Sequence, residues 1–302
     1  LVDAVRGNNK FLMSNRTDAE KTSTDQVTSF DANGFSLGAD SAGPNDREVN
    51  ESTRPMVGWC WNAGGSTVTN TNGTIDSQVR ANPSTGFSIA TWTNESSGDD
   101  TVGHGLGVRP DVVIIKNRSG ANDWVVWTSE LTSGNFMKLN ATDAQSSSSR
   151  IYQDGFTTST FGIGANNTVN KNSNNYVAYC FKEIQGYSKF GSYTGNGAAN
   201  GTFIHTGFKP AWVLFKATTG TENWGLFDNA RNTTNGNPRD IYFTPSTDSA
   251  NSSESDSVDF LSNGFKWRIS SGFRNADGVK FVYMAFAENP FVSSTGTPGP
   301  AH

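Results

Sequence analysis

Two histidines occupy related places in this chain, His104 in GHGLG and His205 in FIHTG, each a few residues ahead of an Arg-Pro or Lys-Pro pair. Neither has a second histidine, a cysteine or a close acidic residue at a spacing that completes a zinc site. Turn or strand-edge roles are expected for both, with a ligand contact as the alternative. Asp99, Asp100, Asp154, Asp256 and Asp259 are hard oxygen donors, but none lies in a DxDxDG-like loop, so solvent-facing turns account for them and no metal is expected. Cys60 and Cys180 stand without a CxxC or His/Cys partner spacing, and a reduced, buried, unpaired state is expected for each. A repeated D-x-x-R, at Asp3 and Arg6 and again at Asp228 and Arg231, reads as a structural ion pair. There is no GxSxG elbow, phosphate loop or HExxH. The residues best suited to binding are aromatic: Trp92, Trp127, Tyr187 and Tyr193 have flat faces that can stack on a sugar, with His104 and His205 as polar neighbours, and burial in the core is the competing reading. No catalytic residue or cofactor follows from these patterns, and the chain is not read as an enzyme.

What must position such residues is an internal repeat. GFSIATWTNESSGDDTVGHGLGVRPDVVIIKNRSGANDWVVW runs from Gly86 to Trp127, and GYSKFGSYTGNGAANGTFIHTGFKPAWVLFKATTGTENWGLF from Gly186 to Phe227. Gly86 matches Gly186, Pro110 matches Pro210, Lys116 matches Lys216 and Trp124 matches Trp224, each 100 residues apart. The later half of the unit occurs three times, with FDANGF, YQDGF and FLSNGF placing Phe35, Phe156 and Phe265 after a turn. Closing segments follow as MVGWCW, YVAYCF and FVYMAF. In these, Cys60, Cys180 and Ala285 share one position, which calls for a small apolar side chain. LVDAVR at Leu1 resembles LFDNAR at Leu226, so the first copy begins inside the unit and the chain reads as a fragment of about two and a half copies. The expected boundaries are 1–63 for an incomplete first unit, 64–85 for a connector or extra hairpin, 86–183 and 184–292 for two complete units, and 293–302 for a loose tail that includes His302.

The units read as strands. DVVIIKN after Pro110 is a β-branched apolar run, and proline at a strand's start costs least to a ladder. The turns ahead of Trp124 and Trp224 give a hairpin at the same place in both copies. Asn33–Gly34, Asp154–Gly155 and Asn263–Gly264 tolerate left-handed backbone, and the three following phenylalanines are expected in the core. The fold class is all-β, as tandem concanavalin/lectin-like or jelly-roll β-sandwich repeats. Composition agrees: Gly 32, Phe 20, Trp 8 and 17% charged residues suit short strands and polar turns. A net charge of -5 without a basic run disfavours nucleic acid. No stretch is long and apolar enough to insert in a membrane.

GHGLGVRPDVVIIKNRSGANDW, YVAYCF, GYSKFGSYTGNG, GFKPAWVLFK and VYMAFAENPF together resemble a family of uncharacterised repeat domains in structural proteins of marine tailed bacteriophages, of tail-fibre-like or lectin-sandwich-like type. The resemblance covers nearly all of residues 1–292. It implies an extracellular virion component, a homo-oligomer with a trimer as first guess, bound to other virion proteins and displaying a surface for a host glycan or envelope component without cleaving it. The alternative it implies is a passive module of a fibre, capsid decoration or extracellular filament.

Overall fold

The computed structural model describes residues 1–39, 49–51, 55–95, 98–231, 236–247 and 251–289. The loose-tail expectation for 293–302, with His302, lies outside the described residues, as does the Asp256 side chain, whose backbone lies in a strand and not in the expected turn. The described chain is almost wholly β. The first unit has two hairpins, β1 (Lys10–Phe11) with β2 (Lys21–Thr22) and β3 (Val27–Asp31) with β4 (Gly34–Leu37). Then come β5 (Val68–Asn70), β6 (Ser77–Asn82), β7 (Phe87–Thr93), β8 (Asp100–Gly103), β9 (Val112–Asn117), β10 (Val125–Thr128), β11 (Asn135–Lys138), β12 (Ser146–Ser147), β13 (Thr160–Ile163) and β14 (Asn175–Phe181). The third unit supplies β15 (Ser188–Thr194), β16 (Phe203–His205), β17 (Pro210–Ala217), β18 (Gly225–Asp228), β19 (Arg239–Phe243), β20 (Ser252–Leu261), β21 (Gly264–Trp267), the one-turn helix α1 (Gly272–Asn275) and β22 (Lys280–Ala287). Among the described residues no helix is long and apolar enough to cross a membrane.

The repeat is visible in the pairing. One eight-stranded sheet runs β12-β11-β10-β9-β14-β7-β6-β5 and the other β15-β22-β17-β18-β19-β20-β21-β16. The order β11-β10-β9-β14-β7 of the second unit thus reappears as β19-β18-β17-β22-β15 in the third. In both, the closing segment is a central strand, which explains its unbroken apolar sequence. The segment 64–85 is the extra hairpin: β5 and β6 pair and extend the second unit's sheet beyond β7. Gly86 and Gly186 match because both open their units at left-handed φ, +65° and +76°, where a side chain is strained.

Alternate residues of the central strands face different cores. Val113 and Ile115 of β9, with Ala90, Trp92, Tyr176, Ala178 and Cys180, face an interior private to the second unit and covered by the β8–β13 pair. Val213, Phe215, Tyr283 and Ala285 face the third unit's own interior, under β16 and β21. The opposite faces, with Val112, Val126, Val177 and Phe181 on one sheet and Leu214, Leu226, Val282 and Phe286 on the other, meet in a shared core. Each fully buried side chain of this size contributes about 1.5–3 kcal/mol.

The first unit also packs on the shared core, through Leu12, Ala63, Trp59 and Trp61. The last ring of each closing segment meets the other two: Trp61 lies 6.3 Å from Phe181 and 5.5 Å from Phe286, and Phe181 lies 6.1 Å from Phe286. Equivalent residues in mutual contact define an approximate threefold axis. Contacts between successive units follow it. Trp124 Nε1 donates to Met13 O at 2.9 Å and Trp224 Nε1 to Lys138 O at 2.7 Å, where Met13 and Lys138 head the similar stretches MSNRTDAE and KLNATDAQ. In those stretches Glu20 N donates to Arg118 O and Gln145 N to Thr218 O, at 2.9 and 3.0 Å. The third unit returns to the first through Trp59 against Phe243 and the Ser14 hydroxyl on Pro245 O. Head-to-tail contacts that close on themselves make a ring, here within one chain.

Three expectations are corrected. Phe35 is 40% exposed, whereas Phe156 and Phe265 are buried, and Cys60 is exposed while Cys180 and Ala285 are fully buried. Among the described residues the first unit has none of the strands that flank the closing segment in the others, so equivalent residues meet solvent. Asn33–Gly34 and Asn263–Gly264 do form hairpin turns, between β3 and β4 and between β20 and β21, but Asp154–Gly155 lies in a single 3-10 turn. Both cysteines are unpaired.

Candidate functional site

Repeated polar residues hold the joints between units. Asp3 accepts from Arg6 Nε, and its carboxylate also accepts from the Tyr179 hydroxyl at 2.9 Å; Arg6 reaches Glu20, which Arg118 grips with two nitrogens at 2.8 and 2.9 Å. Asp228 and Arg231 repeat the pair at 2.6 Å, with the Arg231 guanidinium 5.7 Å from the Trp59 ring. The D-x-x-R feature is therefore structural. It presses each time on the fourth residue of the next closing segment, Tyr179 or Trp59. Lys116 and Lys216 are fully buried at the same joints. Lys116 Nζ donates to Thr17 O at 3.0 Å and Asn117 O at 2.9 Å, and Lys216 Nζ to Ala217 O at 3.1 Å. Burial lowers both to about 8.

The aromatic candidates lie mainly inside. Trp92 stacks on Tyr176 at 5.3 Å in the second unit's core. Trp127 packs on Phe156 in that core, beneath Arg109. Tyr193 stacks on Phe281 in the third unit, its hydroxyl donating to Arg274 O at 2.7 Å. Tyr187 is half-buried against Phe286. These four rings sit in three different cores and form no common face. His104 is fully buried: its Nδ1 accepts from Leu106 N at 3.1 Å, and burial lowers it to about 4. That fixes a turn as expected. His205 is exposed on β16.

The described surface does contain a polar groove, of about 680 Å³, lined by Ala199, Asn200, Asn237, Pro238, Asp259 and Arg268. It lies beside the outer face of the β16-β21-β20 strands, where Phe203, Lys266 and Asp259 stand in one register row. Phe203 is 42% exposed. Arg268 Nε lies 3.5 Å from Asp259 Oδ2, and Asn237 is occupied with the Phe260 backbone through both ends of its amide at 2.8 Å. An exposed ring, a cation and a carboxylate in this order suit a ligand with an apolar face and hydroxyls. Among the described residues one carboxylate lines the groove, whereas acid–base cleavage of a sugar takes two. Among the described residues no three His, Cys, Asp or Glu side chains gather for a metal ion. Sequence reasoning missed Phe203 and Arg268, although the alternation of Phe203, Ile204 and His205 placed the ring on the outer face.

In comparisons with known proteins, no curated protein and no solved structure matches the chain. A domain of unknown function, DUF7483, matches residues 1–290, which takes in all three units and the joints between them. By that match the chain belongs to the DUF7483 family.

Proposed function

We propose that the chain is a non-enzymatic structural protein of an extracellular assembly, a virion part of tail-fibre type, whose task is to hold three β units rigidly about one axis. The observation that carries the structural part is the recurrence of the joint: Trp124 on Met13 and Glu20 on Arg118, then Trp224 on Lys138 and Gln145 on Thr218. Trp92, Trp127 and Tyr193, the aromatic candidates for ligand contact, are spent here on packing. The virion setting comes from the sequence resemblance, as do partnership with other virion proteins and a homotrimer. Quantitative mass spectrometry with immunogold labelling of purified particles tests it: stoichiometric copies on the particle exterior are expected, and absence from particles overturns the setting. Light scattering of the chain tests the trimer, which a monomer at micromolar concentration contradicts.

A second reading is favoured by the row of Phe203, Lys266 and Asp259 beside the groove. In it the same scaffold binds a host-surface glycan or envelope component there, the ring stacking on the sugar and Arg268 and Asn200 meeting its hydroxyls. A glycan array and intact envelope, followed by calorimetry on Phe203→Ala, test this. Binding that the substitution abolishes without product release supports it. No binding by the native protein leaves the scaffold role alone.

A further inference from the structure

The outer face of the third unit carries side chains that the repeat does not call for. Lys266 and Arg268 stand one and three residues after Phe265. At the same steps after Phe156 the second unit has Thr157 and Ser159, and after Phe35 the first has Ser36 and Gly38. Phe203 stands 100 residues after Gly103, the spacing that relates Pro210 to Pro110. A ring and two cations therefore occupy places that the other units fill with small neutral residues, so the shared scaffold does not need them.

The pleat gathers these additions. Phe203, Lys266 and Asp259 lie opposite one another across β16, β21 and β20, on strands about 4.8 Å apart. Phe265 and Trp267 point into the unit's own core, which turns Lys266 and Arg268 outward. Arg268 lines the groove with Asp259 and Asn200, and its contact with Asp259, at 3.5 Å, is a long one. Among the described residues the Lys266 ammonium has no hydrogen bond or ion pair, and the Arg268 side chain has only that contact. Two cations thus face one carboxylate, on a chain whose net charge is -5.

We propose that this face selects an acidic saccharide, its ring stacked on Phe203 and its carboxylate held between Lys266 and Arg268. The inference rests on the glycan reading of the groove and names the charge of the ligand. A planar guanidinium matches a carboxylate with two parallel hydrogen bonds, and the ammonium beside it adds a second positive charge. A neutral sugar leaves both cations without a counter-charge, which is how such a surface discriminates.

Calorimetry on the full chain tests this with short oligomers of galacturonate, glucuronate and mannuronate, their methyl esters, and sulfated neutral oligosaccharides. The esters keep the rings and hydroxyls and lose the charge. At least one uronate is expected to bind about tenfold or more tighter than its ester, with the gap closing as salt is raised. Lys266→Thr and Arg268→Ser, which copy the second unit's residues, should each remove most of that preference, and thermal midpoints check that both variants are folded. Acid and ester bound equally well, with Phe203→Ala abolishing both, overturn the proposal and leave the glycan site standing. Sulfated sugars preferred over every uronate overturn the carboxylate assignment, as do uronates refused by a chain that binds neutral glycans on the array. No saccharide bound in either format overturns this inference and the glycan reading together.

Discussion

Phe35 and Phe265 follow the same Asn-Gly turn, on β4 and β21, and lie over the same position of their closing segments, yet one is 40% exposed and the other fully buried. The same contrast separates Cys60 from Cys180 and Val57, at 36%, from Val177 and Val282. Local sequence sets where these side chains point, and the neighbouring strands decide whether they are buried. A repeat motif thus fixes a strand's geometry without fixing its energetic weight.

The largest expected effect breaks this comparison at its clearest point. Phe265→Ala removes a fully packed ring and is expected to cost about 3–5 kcal/mol, whereas Phe35→Ala is expected to cost under about 1 kcal/mol. Denaturant midpoints at constant slope measure both, and equal losses would show that Phe35 is covered in solution.

A comparable effect belongs to the buried lysines. In the folded state Lys116 and Lys216 are lowered to about 8 from 10.5 by burial. Between those values the unfolded chain binds more protons than the folded one, so each lysine makes stability rise with pH across that window. The rise is at most about 3–4 kcal/mol each, because every tenfold loss of proton affinity on folding is worth about 1.4 kcal/mol. Stability profiles from pH 7.5 to 10 should lose part of this rise in Lys116→Met and again in Lys216→Met. Unchanged slopes would mean that the joints let water reach the ammonium groups.

Cysteine positions sharpen the comparison further. Cys180→Leu overpacks the second unit's core and is expected to cost about 1–3 kcal/mol, while Cys60→Leu should stay within about 0.5 kcal/mol. Thermal midpoints read the difference.

The strands, the hairpins and the repeat were legible in the sequence because alternation and turn chemistry are local. Phe156, Phe265, Cys180 and the D-x-x-R pairs fell where the pattern put them. For Trp92, Trp127 and Tyr193 the sequence left core burial and a binding role side by side, because each lies on a strand with apolar residues on both faces, where periodicity does not say which side meets solvent; all three are buried. The buried role of Lys116 and Lys216 was hidden for another reason. A lysine closing an apolar strand ordinarily reads as its solvated end, and it is backbone carbonyls, Thr17 O of the preceding unit and Asn117 O for Lys116 and Ala217 O for Lys216, that make it an interior group. The ring itself depends on contacts between units, which no single repeat encodes.

The smallest expected effect is also the most direct test of the ring. Trp61, Phe181 and Phe286 come from three units and meet at one axis, with centroids 5.5–6.3 Å apart. Double-mutant cycles with Leu at each pair of positions, read from denaturant unfolding, should give coupling energies of about 0.5–1.5 kcal/mol for all three pairs. Strictly additive losses for Trp61 with both Phe181 and Phe286 would contradict the shared axis and leave the first unit an appendage on two paired sheets.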